Sequence, residues 1–501
     1  MKKTNYFIIA LLSLFILITQ VNAERKTILI EGNDDEYANR VVLNDDGSFV
    51  VVGEFISTDI EGLKSNGNYD AYIIKYDKTG EVEWMKNYGG KDYDYFTELI
   101  QTSDNGYIAV GQTCSSDITG ITLIGSCDAL VVKFDAKGNV LWQKNFGTTG
   151  EDKFNIITKA QDGTYILGGA TNYREYGWQI ECDGYIVKID EQANVKLQQK
   201  VSTEDITFVI ENSKGQYYVG DYTQQSQLRL FDKDFTLLWS TNNYDYTYVN
   251  DAVLLEDDSI VVVGTGSYTK DVRTAYISKY NTDGTLIWTQ SYGSEYDAFS
   301  KIDIDEKGNF IVAGGKVSNI NEKDLNTAVV VRYDKDGNFL KEEVFQGKDA
   351  TWFYGLQHLN DEAYVYVGTS YVSGTYYQDN IYIVYNTDYY IYDIFSKVEG
   401  KGTITVSQNK ASANTEITFE VTPEKGYKID KILVTDADGK VITFTNNKFT
   451  MPSADVTIEV IFIEDKKNPE TTDVAVIACI AIIVLGGIGT MYSIRKLSWL
   501  K

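Results

Sequence analysis

The strongest constraint on the fold is a segment that returns at a fixed interval. Asp46-Gly47-Ser48-Phe49-Val50-Val51-Val52-Gly53 recurs as Asp104-Asn105-Gly106-Tyr107-Ile108-Ala109-Val110-Gly111, and again as Asp162-Gly163-Thr164-Tyr165-Ile166-Leu167-Gly168-Gly169. The steps from Gly53 to Gly111 and from Gly111 to Gly169 are both 58 residues. Asp70 to Asp128 and Trp84 to Trp142 keep the same interval. Three separate features holding one spacing define a structural repeat, in which each unit buries its apolar faces against its neighbours.

Looser copies follow. The strand-end glycine reappears at Gly220, Gly264, Gly314 and Gly368. The closing tryptophan returns at Trp239 and Trp288 and is replaced by Leu197 and Lys341 in other units. The unit around Tyr217 to Trp239 is the shortest and most worn. Each unit reads as four short β patterns separated by turns rich in Asn, Asp and Gly. Four antiparallel strands repeated every 50–58 residues is the pattern of a β-propeller blade, and seven glycines predict seven blades. The fold class expected over residues 24–396 is therefore all-β. Strand Thr27 to Glu31 is expected to pair with the last blade and close the ring, which removes exposed edges.

This region resembles secreted bacterial β-propellers built on a G-Y-I-x-x-G…D-x-x-x-x-K-x-D-x-x-G-x-x-x-W repeat. The tryptophan half also looks like the motif of pyrroloquinoline-quinone-type propellers, in which a Trp packs between neighbouring blades. The Asp77–Gly80 and Asp135–Gly138 spacings are one residue shorter than that motif, so the resemblance implies the fold and not the cofactor. The spacing does not match sialidase Asp boxes either.

From Gly400 to Ile463 the pattern changes to a few alternating strands, and a small β domain is expected over residues 397–463. Gly426-Tyr427-Lys428-Ile429 and Phe449-Thr450-Met451-Pro452-Ser453-Ala454-Asp455-Val456 resemble the bacterial surface repeat related to internalin B-repeats, which implies a stalk.

The two ends of the sequence set the compartment. Lys2 and Lys3, the apolar stretch Phe7 to Thr19 and the small-residue site Val21-Asn22-Ala23 predict a signal peptide over 1–23. Residues 464–473 read as a polar linker. Val474 to Ile494 carries no charge and at 1.5 Å per residue would span about 32 Å as a helix, the thickness of the hydrocarbon core. Arg495, Lys496 and Lys501 follow, so the tail 495–501 is expected in the cytoplasm. Asn468-Pro469-Glu470-Thr471-Thr472 lies just before the membrane segment and resembles a sortase sorting signal, with Thr472 where glycine is usual. That resemblance implies Thr471 as acyl donor to a cell-wall amine, with the body on the outer face of a Gram-positive cell. Retention by the membrane helix alone is the other reading.

The body is acidic, with a net charge of −26 and no basic stripe, which argues against nucleic acid as a partner. Of the four cysteines, Cys114 and Cys127 flank one loop and are the expected disulfide pair in an oxidising compartment, leaving Cys182 odd. The single histidine, His358, limits nucleophilic triads, and no nucleophile elbow is evident. The turns of the Asp334-Lys335-Asp336-Gly337 type miss calcium-loop spacing and read as hairpin turns.

Four acids recur at equivalent positions: Glu36, Asp94, Asp152 and Asp297. A ring of them around the axis could hold calcium or contact a sugar, and they could equally cap turn amides. Tyr93, Tyr95, Tyr246, Tyr248 and Tyr296 crowd the same loops. Glu36, Asp94, Asp152, Asp297, Tyr95 and Tyr296 are thus the candidate ligand residues, with no catalytic residue, no resident metal and no cofactor assigned. The expected function is a surface binding or adhesion module for an extracellular glycan or protein. A carboxylate-dependent surface hydrolase and a structural scaffold are the alternatives; two carboxylates at a defined separation, as a glycosidase needs, are not evident.

Overall fold

A computed structural model describes residues 25–465 apart from short internal stretches, the longest being 242–247, 267–273 and 318–325. The signal peptide, the sorting-type motif Asn468–Thr472, the apolar segment 474–494 and the basic tail lie outside the described residues, as does Tyr246. Among the described residues no helix is long and apolar enough to cross a membrane.

Residues 36–387 form a β-propeller. Six successive four-stranded antiparallel sheets occupy 36–88, 94–146, 153–202, 205–240, 248–292 and 298–345, each with its strands in sequence order. A seventh takes three strands from 350–387, and its fourth, outermost strand is the N-terminal Lys26–Ile30. Lys26 pairs with Tyr385 and Ile30 with Ile381, so the two ends of the propeller meet in one sheet. This is the expected closing strand, one residue earlier than the sequence pattern placed it.

The middle strands explain the fold's sequence pattern. Phe49–Phe55 and Asp70–Tyr76 lie between neighbouring sheets and are covered on both faces, so they read as continuous apolar runs. Every apolar cluster of the propeller sits between two adjacent sheets. One joins Val50, Val52, Ala71 and Ile73 to Phe96, Ala109 and Leu130, and another joins Val41, Val51 and Ile74 to Val365, Val367 and Ile383 of the seventh sheet. The repeated tryptophan reinforces these junctions from the outer strand. The Trp84 indole N–H donates to the Ala136 carbonyl (3.2 Å), Trp142 to Glu191 (3.2 Å) and Trp239 to Thr282 (3.0 Å), each in the outer hairpin of the next sheet. Where the seventh sheet meets the first, Tyr385 takes this part and donates its hydroxyl to the Thr79 carbonyl at 2.7 Å.

The strand-end glycine has a local cause. Every innermost strand carries a β-bulge: Ala38 faces Gly53 and Arg40 faces Val52, leaving Asn39 as an extra residue. The bulge drives the Tyr37 carbonyl toward Gly53, where a Cβ would lie 1.8 Å from it, and Gly111 meets Tyr95 in the same way at 1.9 Å. Only glycine admits that approach.

The second domain begins earlier than the sequence pattern placed it. Strand Ile391–Glu399 pairs parallel with Val456–Glu464 and antiparallel with Lys410–Ser412, and buries Ile394 in the small domain's own core with Phe419, Phe449 and Met451. Residues 391–396 therefore belong to this domain and not to the propeller. One continuous strand carries them across the boundary drawn at 397.

Candidate ligand site on the propeller axis

The bulge turns one extra side chain per sheet toward the axis. Asn39, Thr97, Asn155, Thr207 and Asn250 stand at this position in the first five sheets and together line a cavity of about 420 Å3. Each reaches across to a carbonyl of the next innermost strand. The Asn39 amide donates to Phe96 O at 2.9 Å, the Thr97 hydroxyl to Phe154 O at 2.8 Å and the Asn155 amide to Ile206 O at 2.9 Å. Thr207 donates to Val249 O at 2.8 Å and Asn250 to Phe299 O at 2.7 Å. In the sixth sheet Ser300 holds the position and accepts the Trp352 indole N–H at 3.0 Å. A carbonyl only accepts, so the asparagine NH2 groups must face the strands and their Oδ1 atoms remain as acceptors.

Charged side chains lie on either side of this polar belt. On the loop side the Lys153 ammonium pairs with Asp205 at 2.8 Å and sits 4.1 Å from the Tyr173 ring centre. Farther along the axis Arg40 pairs with Glu98 at 2.7 Å, Lys301 with Asp251 at 3.7 Å, and Asp303 accepts the His358 backbone N–H at 2.9 Å. Arg40, Glu98, Asp251 and Asp303 line a second cavity of about 320 Å3, to which all seven innermost strands contribute. Burial pushes the Asp303 carboxyl up to about 6, opposed by the amides it accepts from His358 and Ile304.

Glu54 follows the strand-end glycine of the first sheet and lines the larger cavity. Burial pushes its carboxyl up to about 7, against the hydrogen bond that the Tyr93 hydroxyl gives it. Its Oε2 is buried without a hydrogen-bond partner. Beside it runs an arc of tyrosine rings, with centres 6.3 Å apart for Tyr37 and Tyr69, 5.1 Å for Tyr69 and Tyr93, and 5.4 Å for Tyr93 and Tyr95. Tyr95 lines the cavity.

The four acids singled out by their spacing are not brought together. Glu36, Asp94, Asp152 and Asp297 are each 0% exposed, and each carboxylate folds into its own connecting loop. Glu36 accepts Gly32 N at 3.1 Å, Asp94 accepts Gly90 N at 2.8 Å, Asp152 accepts Thr148 N at 2.7 Å and Asp297 accepts Ser294 N at 2.7 Å. Asp297 ties in a second loop through Val317 N at 2.7 Å, as Asp152 does through Asn172 N at 3.2 Å. As an open ring of ligand acids the reading is corrected: buried amides claim these carboxylates. Tyr296 is half exposed, in a left-handed backbone conformation at φ 71°.

Cys114 and Cys127 are joined as a disulfide, and Cys182 is a buried free thiol pushed up to about 12 by burial. His358 is 1% exposed, 3.3 Å from an Arg332 guanidinium nitrogen and stacked on Tyr364. The Asp334-type turns accept their own amides: Asp334 Oδ1 takes Asp336 N and Asn338 N at 2.9 and 2.8 Å.

The belt was missed by the sequence reading, although a signal for it exists. Ala38-Asn39, Phe96-Thr97, Phe154-Asn155, Ile206-Thr207, Val249-Asn250 and Phe299-Ser300 all place a small polar residue after an apolar one, near the start of the first six units, while Tyr354 follows Phe353 in the seventh.

Comparison with known proteins places a divergent InlB B-repeat domain at residues 392–466, beginning one residue into the strand that opens the second domain. The regulatory protein FlaEY of Caulobacter vibrioides is 24% identical over 200 residues, which are 35% of this chain and 20% of that protein. The chain thus spans about a fifth of the length of that relative. Among solved structures, streptogramin B lyase aligns at 11% identity and a TM-score of 0.45, covering 72% of this chain and 98% of that one. The WD40 β-propeller domain of Doa1 aligns at 10% identity and a TM-score of 0.43, covering 71% and 95%.

Proposed function

We propose that this chain is a bacterial cell-surface binding module: a seven-bladed propeller that holds an extracellular glycan or protein at its axis. The observation that carries this reading is the larger axial cavity, walled by polar side chains from six sheets, Lys301 of the sixth among them, and flanked by tyrosine rings. Such a wall suits recognition, because convergent polar groups on a rigid frame fix a ligand's orientation. The InlB-type domain supports a stalk behind the propeller. In this reading the signal peptide exports the body, the apolar segment 474–494 retains it, and Thr471 is the site of wall attachment in a Gram-positive envelope.

The test is a glycan and host-protein array probed with the full chain in detergent, with and without calcium. Saturable binding that is weakened by Asn155→Ala is the expected result, and a blank array would remove the reading. Attachment is read separately from wall-released fragments. A fragment ending in Thr471, lost in Thr471→Ala, is expected; an uncleaved chain in the membrane fraction would leave anchoring to the helix alone.

A further inference from the structure

The hydrogen-bonding capacity of the axial cavity is mixed. Many donors are engaged inside the protein, while the Lys153 and Lys301 ammoniums in its wall each carry more N–H donors than the one carboxylate they pair with takes up. The Asn39, Asn155 and Asn250 amides and the Thr97 and Thr207 hydroxyls go to strand carbonyls, and the Lys153 ammonium goes to Asp205. The wall also offers acceptors: three asparagine Oδ1 atoms and the Glu54 carboxylate, whose Oε2 is buried without a partner. A ligand that fits this wall must both donate and accept, as hydroxyls do.

Glu54 adds a charge requirement. Among the described residues no lysine or arginine forms an ion pair with it; its only hydrogen-bond donor is the Tyr93 phenol, and its other ionisable neighbours are the phenols of Tyr69, Tyr72 and Tyr95. A buried carboxylate without a counter-charge is costly, and a ligand cation would supply what is missing. The Tyr93 and Tyr95 rings beside it offer the negative faces that attract an ammonium.

On the binding-module reading, we propose that the axial cavity takes an amino sugar bearing a free primary ammonium, seated against Glu54 and the Tyr93–Tyr95 rings. The acceptors select the saccharide over a lysine side chain. They stand on the first, third and fifth sheets, so one compact ligand must present donors in several directions, as sugar hydroxyls do. A lysine carries one donor head on an apolar stem, which this polar wall does not accommodate. N-acetylation would remove the charge that Glu54 lacks and leave one N–H donor where the ammonium offers three.

The experiment is calorimetric titration of the full chain in detergent with a β-1,4-linked glucosamine tetramer and with its fully N-acetylated counterpart. The glucosamine tetramer is expected to bind saturably, at least tenfold tighter than the acetylated one and at least tenfold weaker in Glu54→Gln. Equal affinity for the two tetramers, or unchanged affinity in Glu54→Gln, overturns the amine assignment and leaves the binding-module reading standing. No binding of either tetramer, with an array ligand found elsewhere, also overturns it; only a blank array removes both. Matched thermal melts establish that Glu54→Gln is folded, and if it is not, the acetylated tetramer alone decides.

Discussion

Asp94 and Glu54 are both carboxyls on the loop side of the propeller, and they differ in where the fold places them. Asp94 Oδ2 accepts Gly90 N at 2.8 Å and Ser115 Oγ at 2.7 Å, which ties its carboxylate into its own loop, while its Oδ1 is buried without a partner. Asp94→Ala is expected to cost about 1–3 kcal/mol in denaturant unfolding, by stranding a buried amide. It should leave ligand affinity unchanged. Glu54 instead lines the axial cavity, and its carboxyl titrates near neutrality because burial disfavours its charge, pushing it up to about 7. The groups facing it are the phenols of Tyr69, Tyr72, Tyr93 and Tyr95, all neutral in that range. Affinity for the glucosamine tetramer should therefore be lost at the acid end, toward about pH 5.5, where Glu54 is protonated although the ligand's amines are charged, and Glu54→Gln should lack that acid-side loss. Titrations at about pH 7.5 and about pH 5.5 check this. Sequence spacing placed Asp94, Asp152 and Asp297 at one level of the fold. It could not show that their side chains turn into loops, because that depends on which amides the folded loops leave unpaired.

At the level of elements, the sheets were legible because duplicated units repeat their own packing. Phe49–Val52 and Tyr107–Val110 are apolar for one reason, burial on both faces, and the 58-residue interval carries that reason from unit to unit. Trp142 was legible in the same way. Its indole spans to the third sheet at Glu191 O and packs beside Ile157 and Val187, so Trp142→Ala should lose about 3 kcal/mol. The midpoint of chemical unfolding checks it. The bulge was not legible as such: an extra residue in a strand leaves hydrophobic alternation blurred, and Asn39 reads as one more polar position. The strand-end glycine was its visible shadow, since Gly53 answers the displaced Tyr37 carbonyl. The start of the second domain was misplaced for a related reason. Strand Ile391–Glu399 continues an aromatic, β-rich run out of the propeller, and only its pairing with Val456–Glu464 shows where it belongs.

For the whole molecule the buried acids set a direction with pH. Burial holds Glu36 and Glu54 at about 7, and Asp70 and Asp303 at about 6, all above their values in an unfolded chain. The folded state therefore binds more protons than the unfolded state in this range, and stability is lost as pH rises through 6 to 7. Thermal unfolding is expected at higher temperature at about pH 5.5 than at about pH 7.5, and relief of the repulsion within a −26 chain acts in the same direction. Below about pH 4 the trend reverses, as Asp162, held down to about 2 by Thr164 and Lys188, begins to protonate. Melting curves across that range check both limbs.

The outermost strand of the seventh sheet comes from Lys26–Ile30, while its partner, Gln378–Thr387, is the last propeller strand to be synthesised. The first segment made must wait, unpaired, for the last. The ring therefore cannot close until the whole propeller, through Thr387, has been made. Once both are present, the latch joins Lys26–Ile30 to the strand that leads into the second domain. Release of that shortest strand, held by pairings such as Ile28 with Ile383, is what would open the ring.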